Sequence, residues 1–138
     1  MKQFKINMLL ALALALAVSA SAAAFAVAAA QPATIKDGAY TVEQAEAGKE
    51  LYERRCSSCH NADFYKTAFS NRNNQPLAYM FEEILVTMPA DMPGSLMDQE
   101  YEQILAHILS ITGFPAGNAP LDYNGGSMHT VNIVPPES

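Results

Sequence analysis

Only two cysteines, Cys56 and Cys59, occur in the 138 residues. That excludes a multi-bridge disulfide framework, and a single bridge between positions so close would stabilise little. With only His107 and His129 as further candidate ligands beyond His60, all at unsuitable spacing, a tetrahedral zinc site is excluded too. Basic residues are few: eight Lys and Arg against fourteen Asp and Glu, a formal charge of −6. Such a balance argues against nucleic acid or anionic lipid as a partner. No internal repeat is present, and outside residues 131–134 no segment alternates with the period of a strand. No carboxylate pair stands out as a general acid and base.

What is present is Cys56-Ser57-Ser58-Cys59-His60. In C-x-x-C-H the two thiols add to the two vinyl groups on one edge of a porphyrin, and the next residue is delivered beneath the iron as an axial ligand. The motif therefore predicts one covalent haem c, with Cys56 and Cys59 as thioether anchors and His60 as an iron ligand. A thioredoxin-like redox pair is the competing reading. It requires a strand before the motif and a βαβ pattern around it, and neither is visible.

Haem attachment of this kind takes place outside the cytoplasm, and the N-terminus fits export. Lys2 and Lys5 form a basic start, residues 8–18 are apolar, and small residues follow. Residues 1–30 are read as a signal peptide, with candidate cleavage sites after Ala20, Ala22, Ala26 or Ala30 and a periplasmic destination. The uncharged stretch 8–30 is also long enough to serve as an uncleaved membrane anchor. Without Lys2 and Lys5 the remaining chain holds six basic and fourteen acidic residues, a formal charge of −8. That charge favours encounter with a basic patch on a partner protein, although it serves solubility equally well.

The remainder is read as a linker at 31–40, a domain at 41–134 and a frayed tail at 135–138. All-α architecture is expected, with about three main helices around the haem. The first spans 42–60, with Thr41 as cap and Ala45, Gly48 and Tyr52 on one packing face. Residues 61–75 read as a loop with at most a turn of helix. A second helix, 76–87, starts at Pro76 and carries Leu77, Met80, Phe81, Ile84 and Leu85 as an apolar stripe. A third is capped by Asp98, follows Tyr101, Ile104, Leu105 and Ile108, and stops at Gly113. Residues 131–134 are expected to pack back on the domain.

A haem iron bound by His60 needs a sixth ligand to be low-spin. Met88-Pro89 and Met92-Pro93 both lie in the loop after the second helix, where proline holds the backbone extended and a thioether can project. Met88 is the leading candidate and Met92 the alternative. Met97, His107 and His129 are outsiders, since a lone Met usually fills core or surface.

The chain from Gln44 to about residue 134 resembles the class I c-type cytochromes. The resemblance is carried by the A-x-x-G-x-x-x-Y…C-x-x-C-H run from Ala45 to His60, by Thr87-Met88-Pro89, Pro93-Gly94-Ser95-Leu96 and Gln99-Glu100-Tyr101, and by the closing Gly113-Phe114-Pro115-Ala116-Gly117. It is similar in particular to small cytochromes that accept electrons from quinoprotein dehydrogenases. The resemblance implies His60 as proximal and Met88 as distal ligand. It places Gly48 and Tyr52 where the first and last helices cross, and it lines or braces the crevice with Leu96, Tyr101, Leu105 and Ile108. Three positions depart from the family: Asn61 replaces the usual Gly after the motif His, His107 replaces a frequent Tyr, and the 61–75 loop lacks glycines. Asn61 is expected to sustain a left-handed turn.

The resulting expectation is a non-enzymatic periplasmic carrier of single electrons between a dehydrogenase, of quinoprotein type by the resemblance, and a downstream acceptor. A haem sensor or peroxidase-like protein with a labile sixth ligand is the alternative. Membrane association is expected only if the N-terminal segment stays uncleaved.

Overall fold

The computed structural model describes residues 31–137. The signal-peptide or anchor reading of 1–30 lies outside the described residues.

Helix α1, Val42–Arg55, begins where Thr41 accepts a hydrogen bond from the Gln44 N–H, satisfying one of the free donors of the first turn. Glu43 at its start and Arg54 and Arg55 at its end complement the helix dipole. Ala45, Gly48 and Tyr52 are buried on one face, as expected. The helix stops at Arg55 and does not run to residue 60. The N–H groups of both Cys56 and Ser57 turn onto the Tyr52 carbonyl, and those of Cys59 and His60 onto the Cys56 carbonyl. The haem motif is thus a tight coil at the end of α1.

Residues 61–75 hold a helix where a loop was expected: α2, Ala62–Asn71. Asn61 is its cap, accepting from Phe64 N at 2.9 Å in an extended conformation with φ −100°. The expected left-handed turn at Asn61 is therefore corrected. α3, Leu77–Thr87, follows with Pro76 at its cap position. Leu77, Met80 and Phe81 of its stripe are buried, and Ile84 and Leu85 are half-buried.

α4, Asp98–Ile111, holds Asp98 in its first turn and not as its cap. That place belongs to Met97, whose N–H donates to the Glu100 carboxylate at 2.8 Å. The helix ends ahead of Gly113, which takes φ +92°, a conformation open to glycine without strain. A last short helix, α5, Ser127–Thr130, buries Met128. The domain is all-α as expected, with four main helices in place of about three.

The architecture rests on the crossing of α1 over α4. A Cβ on Gly48 would overlap the Gln103 carbonyl oxygen, so the two backbones meet there only because that side chain is absent.

The segment read as a linker is core. Thr34 caps a 3-10 turn at Ile35–Asp37, Ile35 is wholly buried, and Ala39 and Tyr40 are buried behind it. The tail returns as expected: Val131 and Ile133 are buried, and Asn132 bridges to both Thr34 and Pro76. Gln44 pairs with Leu121 through both ends of its amide, at 2.9 and 2.8 Å, fixing the 120s loop against α1.

Candidate haem site

α1 delivers the motif, α2 forms one wall and α3 with its following turn forms the other, while Ile104 and Ile108 of α4 close the back. The resulting cleft is lined by Cys56, Cys59, His60 and Met88 together, with Phe64, Tyr65, Met80 and Ile84 among its apolar neighbours. The cleft has a volume of about 150 Å³. That is smaller than the roughly 300–1,000 Å³ of typical cofactor sites, so the donor set and not the volume points to a bound group.

The donor set fits a haem. His60 makes no side-chain hydrogen bond with the described residues, and its buried Nδ1 has no partner. A buried polar nitrogen left this way costs on the order of 1–3 kcal/mol, so the ring is oriented for something other than protein. The thiols are unpaired, Cys56 half-buried and Cys59 exposed. Burial pushes the Cys56 thiol up, against the pull of Arg55. A redox dithiol needs the opposite, a lowered thiol pKa. Thioether formation leaves a neutral sulfur at home in the half-buried position.

Met88 is the residue at which the chain leaves α3, and it lines the cleft. Met92 and Met97 do not line it and are 58% and 66% exposed. His107 sits on α4 with its ring 5.0 Å from that of Tyr52, beside a separate small cavity lined by Tyr40, Glu46 and Lys49. The His129 ring lies 5.1 Å from that of Tyr123 and does not line the cleft. Of the four residues expected to line or brace the crevice, Ile108 lines it. Tyr101 and Leu105 are buried behind that surface, and Leu96 is half-buried against the core.

Two backbone carbonyls at the site are held from behind. The Tyr52 hydroxyl donates to the His60 carbonyl at 2.6 Å, and the Tyr101 hydroxyl donates to the Met88 carbonyl at 2.7 Å. Neither contact was foreseen. The wall from α2 was missed as well, although Phe64, Tyr65, Ala68 and Phe69 recur at helical spacing behind an Asn cap.

Charge is arranged unevenly. Lys36, Lys49, Arg54, Arg55, Lys66 and Arg72 each pair with a carboxylate. At the cleft, Arg55 meets Asp91 and Arg72 meets Glu83. Carboxylates outside these pairs gather at a groove where α1 and α4 begin, lined by Glu43, Asp98, Glu102 and Asp122. Burial raises the Glu102 carboxyl, and Asp122 and Asp98 add to the shift against the Tyr123 N–H.

Comparison with known proteins places this geometry. The family described as "Cytochrome C oxidase, cbb3-type, subunit III" matches residues 43–108, from the first turn of α1 through most of α4. No curated protein and no solved structure matches the chain.

Proposed function

We propose that the chain, whose residues 43–108 match that family, is a class I c-type cytochrome with covalently attached haem c and acts as an exported, periplasmic carrier of single electrons. It takes them from a dehydrogenase, of quinoprotein type by the resemblance of its sequence, and passes them to a downstream acceptor. The matched family's name is that of an oxidase subunit, which supports an electron-transfer partner on the acceptor side.

The observation that carries the reading is that one cleft gathers Cys56, Cys59, His60 and Met88 and leaves Met92 and Met97 outside. Cys56 and Cys59 would anchor the haem, with His60 and Met88 as axial ligands. The haem would supply a one-electron iron centre, and a His/Met ligand pair favours its reduced form. The chain's own task is enclosure. Met80, Ile84, Ile104 and Ile108 keep water from the interior. α1 and α4, crossed closely at Gly48, carry the tyrosines that hold the His60 and Met88 carbonyls. The acidic groove steers the molecule toward partners with basic surfaces.

The test is the visible and near-infrared spectrum of the matured protein, oxidised and reduced, beside that of Met88→Ala. A low-spin spectrum with the weak sulfur-to-iron band, lost in the variant, is the expected result. A high-spin wild type that binds CO and cyanide at once would replace the carrier with a sensor or peroxidase-like protein.

A further inference from the structure

The Met88 carbonyl marks the point where helical backbone gives way to extended chain: the Met88 N–H still donates to Ile84, while Met88 itself has ψ 155°. Two donors meet on that oxygen, the Tyr101 hydroxyl at 2.7 Å and the Gly94 N–H at 3.2 Å. The second belongs to the same loop and moves with it. Tyr101 does not. It is 2% exposed on α4, and α4 is fixed against α1 through the Gly48 crossing. Among the described residues the other side-chain tie on segment 88–96 is the Arg55–Asp91 ion pair at 3.8 Å, largely in solvent on the Asp91 side. Such a pair contributes little.

We infer that Tyr101 is a positioning residue for the sixth iron ligand: its hydroxyl pins the Met88 backbone so that the thioether remains at the cleft. This rests on Met88 being that ligand. A thioether is a neutral donor, and its occupancy of the iron depends on how closely the backbone confines it. With that buried bond removed, the Met88 carbonyl keeps only the Gly94 N–H, which belongs to the same loop. The sulfur then leaves more often.

The experiment compares the oxidised holoprotein with Tyr101→Phe, which keeps the ring and its packing, and with Tyr40→Phe. Tyr40 also donates from a buried position to a backbone carbonyl, that of Phe114 at 2.7 Å, and does not line the haem cleft. It therefore reports the effect of losing such a bond elsewhere. Cyanide must displace the thioether to bind. Tyr101→Phe should bind cyanide roughly three- to tenfold faster than wild type, the range expected for one neutral hydrogen bond. Its sulfur-to-iron band should also disappear at a lower pH than that of wild type. Tyr40→Phe should lower the thermal midpoint by a similar amount and leave both readouts unchanged. A Tyr101→Phe protein that binds cyanide no faster than wild type overturns the inference, as does equal acceleration in Tyr40→Phe. Met88→Ala measured alongside separates the two levels. Retention of the band in that variant removes Met88 as ligand and this role with it. Loss of the band with an unchanged Tyr101→Phe removes the role of Tyr101 alone.

Discussion

Tyr52 reaches from the last turns of α1 to the carbonyl of His60, eight residues on, and closes the haem motif into a ring of fixed shape. The phenol is buried beside Tyr65 and His107, so its direction is set by packing on three elements. Tyr52→Phe keeps the ring and loses the bond. We expect a loss of about 1 kcal/mol, read as a fall of roughly 4–8 °C in the thermal midpoint, with covalent haem retained. An unchanged midpoint would show that the motif is held by its own backbone turns.

The Gly48 crossing makes a sharper prediction. In Gly48→Ala the methyl collides with the Gln103 carbonyl, a backbone atom that cannot swing aside. The expected loss is about 3 kcal/mol or more, seen as a lower denaturant midpoint in the holoprotein. Stabilisation of the kind Ala gives at an open helical site would contradict the geometry.

Asn61 separates two local structures. As a helix cap its replacement by Ala costs about 1 kcal/mol, while replacement by Gly costs only a few tenths. Had the residue occupied a left-handed turn, Gly would have stabilised the protein instead. Urea midpoints of the two variants decide the point.

His107 gives the stability a pH dependence. Burial holds its imidazole below the ordinary value, outweighing the Ala45 carbonyl and Glu53, which pull upward, while Lys49 adds to the depression. Below about pH 6.5 the unfolded chain therefore binds a proton that the folded one does not, and stability falls with pH across that window. It is fully present above the unfolded value and is lost as pH drops toward the folded one. His107→Gln should flatten this part of the profile between pH 7.5 and pH 5 (values chosen to bracket the ordinary histidine pKa). Parallel profiles for wild type and variant would assign the dependence to other groups.

The anchors admit a direct chemical check. Replacing both Cys56 and Cys59 by serine should abolish haem that survives denaturing electrophoresis. It should also lower the stability of the domain, because Met80, Ile84, Ile104 and Ile108 then face an unfilled cleft.

Much of this was legible in the sequence because its signals are local. The haem motif is contiguous, α1 has a clear cap, α4 has a clear periodicity, and Gly113 stops a helix where glycine is expected. The segment at 62–71 was obscured by Thr67, Ser70 and Asn71, which are weak helix formers; its helix is secured by the Asn61 cap and by burial of Tyr65 and Phe69. Residues 31–40 look like a linker because only Ile35, Ala39 and Tyr40 are core, and what covers them comes from the other end of the chain. The tyrosine contacts were hidden for a different reason: a hydroxyl's choice of a distant carbonyl leaves no mark on spacing.

The tail's place between two earlier segments sets the order in which the domain can close. Asn132 gives its N–H to Ala33 and takes one from Ile35, while Asn74 and Leu77 donate to Ile133 and Val131. Residues 131–133 are thus the thread sewing the start of the domain to the start of α3. In a chain growing from its N-terminus the haem motif is present long before that thread. Until then Ile35 lacks its backbone partner, the Asn132 carbonyl. The last residues of the domain are therefore the ones that lock its first residues in place.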